Sequence, residues 1–168
     1  MATLSLLIVV PFLMAYAAMR DLLTMLIPNT VSIALVAAFA AFAAVTGLGW
    51  SDLSSHLGAG AATLTATFTL FALGYIGGGD AKLAAATALW IGFDQLLAYL
   101  TLASLAGGAL TLGLLAARSH PLPGFVARLP FVLHLHDAKT GVPYGIALSL
   151  AALIILPETG IWARVLAG

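Results

Sequence analysis

Two acidic side chains stand where an apolar chain has a reason to avoid them. Asp21 closes the first apolar run, Met1 to Met19, directly after Arg20. Asp80 follows three glycines, Gly77-Gly78-Gly79, and precedes a helix-forming run, Ala81-Lys82-Leu83-Ala84-Ala85-Ala86. Each has an ordinary structural reading. An aspartate at a helix N-terminus caps free N–H groups and is favoured by the helix dipole. An acid beside a base at the end of an apolar helix is a common rim charge. The apolar run from Ala81 to Phe93, however, covers only about 20 Å at 1.5 Å per residue. A bilayer core measures about 30 Å. The start of this helix is therefore expected below the membrane surface, where an ionisable group is costly and usually functional. Two carboxylates facing one water-lined cavity do not readily ionise together, and at neutral pH they can share a proton. One can then take a proton from water while the other donates to a peptide carbonyl oxygen, the chemistry of amide hydrolysis. The sequence permits the two acids to meet without requiring it.

The elements that must position them are apolar helices. Hydrophobic residues make up 62% of the 168 positions and charged residues 7%, against about 25% charged in a soluble domain. Six acids and six bases cannot coat a water-soluble globule of 17.1 kDa, but they can decorate the rims of a helix bundle in lipid. Zero net charge and scattered bases exclude a nucleic-acid surface, which needs a concentrated basic face. The chain has no cysteine, which removes thiol catalysis, disulfides and cysteine-based zinc sites.

Six spans are expected, in a single all-α membrane bundle over residues 1–168: Thr3 to Met19, Asn29 to Gly47, Leu57 to Tyr75, Ala81 to Phe93, Gln95 to Ala117 and Gly141 to Leu156. Pro28 suits the start of the second. No base precedes the first run, so it reads as a retained helix with its N-terminus outside, not a cleaved signal. On that topology Arg20, Lys82, Arg118, Arg128 and Lys139 collect on the inner face. Only Arg164, among the bases, falls outside, with Asp52, Asp94 and Glu158. That is the asymmetry of the positive-inside rule. Asp21 and Asp80 share the inner side.

Three elements in order then resemble one family. Gly77-Gly78-Gly79-Asp80-Ala81-Lys82-Leu83 resembles the G-x-G-D-x-K-L signature of the type IV prepilin peptidases, intramembrane aspartyl proteases of the GxGD class. Asp21 with Ile27-Pro28-Asn29 is similar to that family's first-aspartate element. Val142-Pro143-Tyr144-Gly145-Ile146-Ala147 resembles the V/I-P-Y-G-I/V-A element of its short, pilus-assembly members of the CpaA/TadV type. The resemblance implies a catalytic pair, Asp21 and Asp80, in the bacterial inner membrane. Its substrates would be prepilin-like precursors, cut at the cytoplasmic face between a basic leader and an apolar helix, with no metal or organic cofactor. Gly77, Gly78, Gly79, Lys82, Pro28, Asn29, Pro143, Tyr144 and Gly145 would bind substrate or shape the site. Longer members carry a cysteine-rich zinc-binding insertion and also N-methylate the product. Its absence implies peptidase activity alone.

The other polar groups are weaker candidates. Lys82 lies on roughly the opposite side of its helix from Asp80 by the 3.6-residue period and reads as a lipid-facing snorkel. His134, His136 and Asp137 imitate a metal site but read as part of a solvated loop, Arg118 to Thr140. Within that loop Phe125 to Leu129 and Phe131 to Leu133 suit a segment lying on the inner membrane surface. Trp50, Trp90 and Trp162 are placed as interfacial aromatic residues. The glycine run is expected to offer open backbone to an extended substrate. The rival reading is a small transporter or proton-conducting subunit with the acids as a proton relay; a non-enzymatic assembly scaffold is a third. Shortening of a pilin precursor by the purified protein separates the three.

Overall fold

Long stretches rich in alanine and leucine form helices, and each ends where the sequence supplies a breaker. The structure, a computed structural model, describes residues 2–123 and 128–166. Helix α1 (Ala2–Thr24) runs through Pro11. It stops at Met25, whose left-handed φ of 55° lets its N–H close on the Asp21 carbonyl at 2.8 Å. Helix α2 (Asn29–Thr46) starts behind extended Pro28 and ends on Gly47 at φ 60°, the left-handed cap that glycine adopts without penalty. Helix α3 spans Trp50–Ala72 and α4 Gly78–Arg118. Then come α5 (Pro130–His136), α6 (Tyr144–Ile155), a 3₁₀ turn at Leu156–Glu158 and α7 (Gly160–Leu166). Among the described residues there is no strand.

Helix α4 holds the fourth and fifth expected spans as two arms, residues 78–91 and 93–118. Between them Gly92 takes φ 72° and ψ 171°, a region essentially confined to glycine. The chain reverses there. In a straight helix Asp80 and Ser104 would be about 36 Å apart, yet both line one cleft with Ala84, Leu100 and Ala103. The first arm is the centre of the fold, nearly every residue from Ala81 to Gly92 being buried.

Against that arm α3 runs antiparallel. Thr67 Oγ1 donates to the Ala81 carbonyl at 3.2 Å near one end, and His56 Nδ1 lies 2.8 Å from the Leu89 carbonyl near the other. Gly60 permits the approach, since a Cβ there would stand 2.6 Å from Leu89 Cδ2. On another side α2 buries Val31, Leu35, Phe39 and Phe42. Trp90 anchors this contact: its indole N–H donates to the Leu35 carbonyl at 3.0 Å, and the rings of Phe39 and Phe42 lie 5.6 Å from it. Trp90 is therefore a core residue and not the interfacial one expected from its place near a span end. Helices α1 and α6 complete the packing through Met14, Ala17, Ala151 and Ala152.

Large apolar side chains also cover the outside, among them Phe12, Ile33, Phe68, Leu97 and Leu112. A surface of this kind faces something other than water. Among the described residues α2 and α4 are long and apolar enough to cross a membrane, each holding an 18-residue stretch of mean hydropathy 1.9 and 1.8 respectively. The six-span count thus rests on the sequence pattern, while the helices by length and composition supply these two. The fourth expected span begins at Gly78 instead of Ala81, because two glycines join its first turn.

Candidate active site

Asp21 sits in the last turn of α1, 4% exposed. Asp80 sits in the first turn of α4. Residues 59 positions apart are brought to one cavity of about 210 Å³, lined by both acids, by Met25, Leu26 and Ile27 and by Gly77, Gly78 and Gly79.

Each carboxylate meets the N-terminus of a helix, where the first N–H groups have no partner within the helix. The Gly145 N–H, in the first turn of α6, donates to Asp21 Oδ2 at 2.6 Å. A side chain at that position would force its neighbours to shift. A Cβ on Gly145 would stand 2.8 Å from Asp21 Oδ2 and 2.7 Å from Ile27 Cδ1. Asp80 turns back over its own helix start, so that a Cβ on Gly77 would lie 2.9 Å from Oδ2. Gly79 is close-packed in the same way, its Cβ position 3.2 Å from Ile27 Cβ. Ile27 therefore braces both helix starts from the α1–α2 connection, a role its apolar type gave no means of anticipating.

The remaining expected site residues divide. Gly77, Gly78 and Gly79 line the cavity. Gly78 and Gly79 are helical, however, and Gly77 is the extended residue before them. The glycine run thus supplies close packing and a helix start as well as cavity-lining backbone. Pro28 leads α2. Lys82 Nζ donates to Asn29 Oδ1 at 3.0 Å, which ties the starts of α2 and α4 together outside the cavity. Lys82 thus has a protein partner besides its exposed surroundings. Pro143 is buried ahead of α6. Tyr144 stands at the adjoining cleft with Asp80.

Farther out, Arg118 holds the loop at this end of the bundle. It donates to the carbonyls of Leu135 at 2.8 Å and of Thr140 and Gly141 at 3.0 Å each. His134 and His136 lie in α5, and no cluster of metal-ligating side chains occurs among the described residues. The expected surface segment at Phe125 to Leu129 falls largely outside the described residues. At the opposite end Asp52 and Arg164 form an ion pair between α3 and α7.

An apolar helical bundle with two acids on one cavity defines a class, that of helical membrane proteins with an acidic site. The family model for the type IV leader peptidase family matches residues 8–112. The chain belongs to this family, and with it to the membrane peptidases. No curated protein and no solved structure matches it. The matched segment includes Asp21, Ile27-Pro28-Asn29 and Gly77 to Leu83, and stops before Gly145.

Proposed function

We propose that this protein is an intramembrane aspartyl endopeptidase that removes the leader from prepilin-like precursors at the cytoplasmic membrane face. Asp21 and Asp80 are its catalytic pair. The observation that carries the reading is the shared cavity: both carboxylates border one space of about 210 Å³. Water held between them loses a proton to the ionised aspartate as it attacks the peptide carbonyl. The protonated aspartate donates to the carbonyl oxygen, and proton transfer to the departing nitrogen then breaks the C–N bond.

The end of the bundle that carries the acids also carries Arg20, Lys82 and Arg118, which supports its placement at the cytoplasmic face. A basic leader would remain in water there while the apolar part of the precursor stays in lipid. A proton relay, by contrast, calls for acids spaced across the bilayer, whereas these two border a single cavity. Without cysteine the chain lacks the zinc-binding insertion of the longer members, and it cuts without methylating.

The test is cleavage of a purified prepilin-like precursor in lipid vesicles. Asp21→Asn and Asp80→Asn should each abolish the shortened product while leaving helix content and insertion unchanged. Normal cutting by either variant overturns the assignment.

A further inference from the structure

Hydroxyl groups inside an apolar bundle have few partners, and most on these helices take the nearest one. Thr46, Thr65, Thr69, Ser104 and Thr111 each donate to the carbonyl four residues back, at 2.7–2.9 Å, a local bond open to any helical Ser or Thr. Three buried hydroxyls do otherwise. Among the described residues Thr63 Oγ1, Tyr99 Oη and Ser149 Oγ reach no hydrogen-bond partner, although these residues are 3%, 0% and 1% exposed. Buried polar groups are nearly always paired, with protein or with ordered water.

These groups lie at one depth. Thr67 meets Ala81 and His56 meets Leu89, so Thr63 falls between the two contacts, one turn in from Thr67. Ser149 is one turn beyond Gly145, the residue that holds Asp21. Thr87 is two turns beyond Asp80 and turns its hydroxyl to Met14 Sδ at 3.6 Å. Tyr99 stands beside Thr87, short of a full hydrogen bond. At 5.4 Å per turn this hydroxyl layer is about 5–11 Å deeper in the bundle than the acids.

A cleft leads from Asp80 to the layer. Asp80, Ala84 and Thr87 follow one face of the first arm of α4, and Tyr99 and Ala103 follow one face of the second. Asp80, Ala84 and Ala103 line a cleft of about 200 Å³, and Thr87 and Tyr99 stand toward its deep end. A bound water needs about two to four polar partners, and hydroxyls both donate and accept.

Stored water serves the reaction proposed above. Hydrolysis consumes one water for each bond cut, and a precursor that fills the acid cavity of about 210 Å³ displaces water from it. We infer that the layer of Thr63, Thr87, Tyr99 and Ser149 holds water beneath Asp80 and feeds it to the acid pair. The supply role rests on the Asp21/Asp80 reading, whereas the water site does not.

Pulsed X-ray radiolysis tests the site apart from activity, because radicals formed from a bound water oxidise the side chain it touches. In the native protein in vesicles, mass spectrometry should find Tyr99 oxidised roughly fivefold faster than Trp90, an equally buried aromatic residue. Ser149→Ala should lower oxidation of Tyr99 and Met14 roughly threefold. It should also cut kcat on a precursor roughly fivefold, with KM little changed. Thr87→Val, which keeps the shape of the side chain, should act in the same way and carries the test if Ser149→Ala does not insert. Tyr99 as unreactive as Trp90, or native kcat in the inserted variants, overturns the inference. Asp80→Asn should stop cleavage and leave Tyr99 labelled. Continued cutting with that label present overturns the dyad and the supply role, and leaves the water site standing.

Discussion

Gly145 donates its backbone N–H to Asp21 Oδ2 across 124 positions of sequence, at 2.6 Å. The last long helix of the bundle thereby positions an acid carried by the first. Gly145→Ala would drive a methyl group into Asp21 Oδ2 and Ile27 Cδ1. The acid must then move, and a displacement of about 1 Å at a reacting group can cost on the order of 100-fold in rate. Cleavage by Gly145→Ala should fall by about that factor, with KM changed far less, measured on the precursor in vesicles. A rate within twofold of native would show that this hydrogen bond does not position the acid.

The pH profile tests the sharing of a proton. With both acids protonated no base remains, and with both ionised no acid remains. The plot of kcat/KM against pH should therefore be bell-shaped, with both limbs belonging to the pair and not to one residue. A rate that rises with pH to a lasting plateau would point to a single base instead.

Gly92 carries the reversal between the arms of α4. Alanine there would adopt a φ and ψ that cost about 1–3 kcal/mol, and its Cβ would come within 2.8 Å of His56 Cε1. Gly92→Ala should lower the unfolding temperature in detergent and the yield of inserted protein, although it lies at the end of the arm away from both acids. Thermal unfolding followed by circular dichroism checks this.

Arg118 offers a third kind of test, because its three carbonyl partners lie in the segment that leads into α6. Hydrogen bonds to a charged group contribute about 1.5–3 kcal/mol where buried and less where solvated. Arg118→Met should speed proteolytic nicking between residues 119 and 140 several-fold and reduce cleavage activity modestly, since residues 140 and 141 precede Gly145. Limited proteolysis of the reconstituted protein, with unchanged nicking, would count against the anchoring role.

Much of this was legible in residue types. Most helices follow the apolar runs, although α3 begins at Trp50, seven residues before the expected Leu57, and Pro28 and Gly47 bound α2 as their backbone preferences demand. The first arm of α4 is short, as the apolar run from Ala81 to Phe93 indicated. Trp90 leaves its expected interfacial place, and Gly78 and Gly79 join a helix, for one shared reason. Local sequence shows that glycine can be extended and that tryptophan suits an interface, but neighbouring helices decide which conformation or environment each receives. Gly78 and Gly79 were drawn into a helix start, and Trp90 into the core between α2 and α4.

By itself, then, the sequence determined the helical class, the apolar surface, the two acids at helix ends and the motifs that place the chain in its family. These depend on composition and short spacing, and hydropathy and helix formation are local. Tertiary structure alone decided that Asp21 and Asp80 share a cavity, that Gly145 holds one of them, that Lys82 reaches Asn29, and that an apolar cleft opens beside Asp80. Each is a contact between segments far apart in the chain. Such contacts depend on how close helices can approach, which glycine sets at Gly60, Gly107 and Gly145 by leaving no side chain in the way.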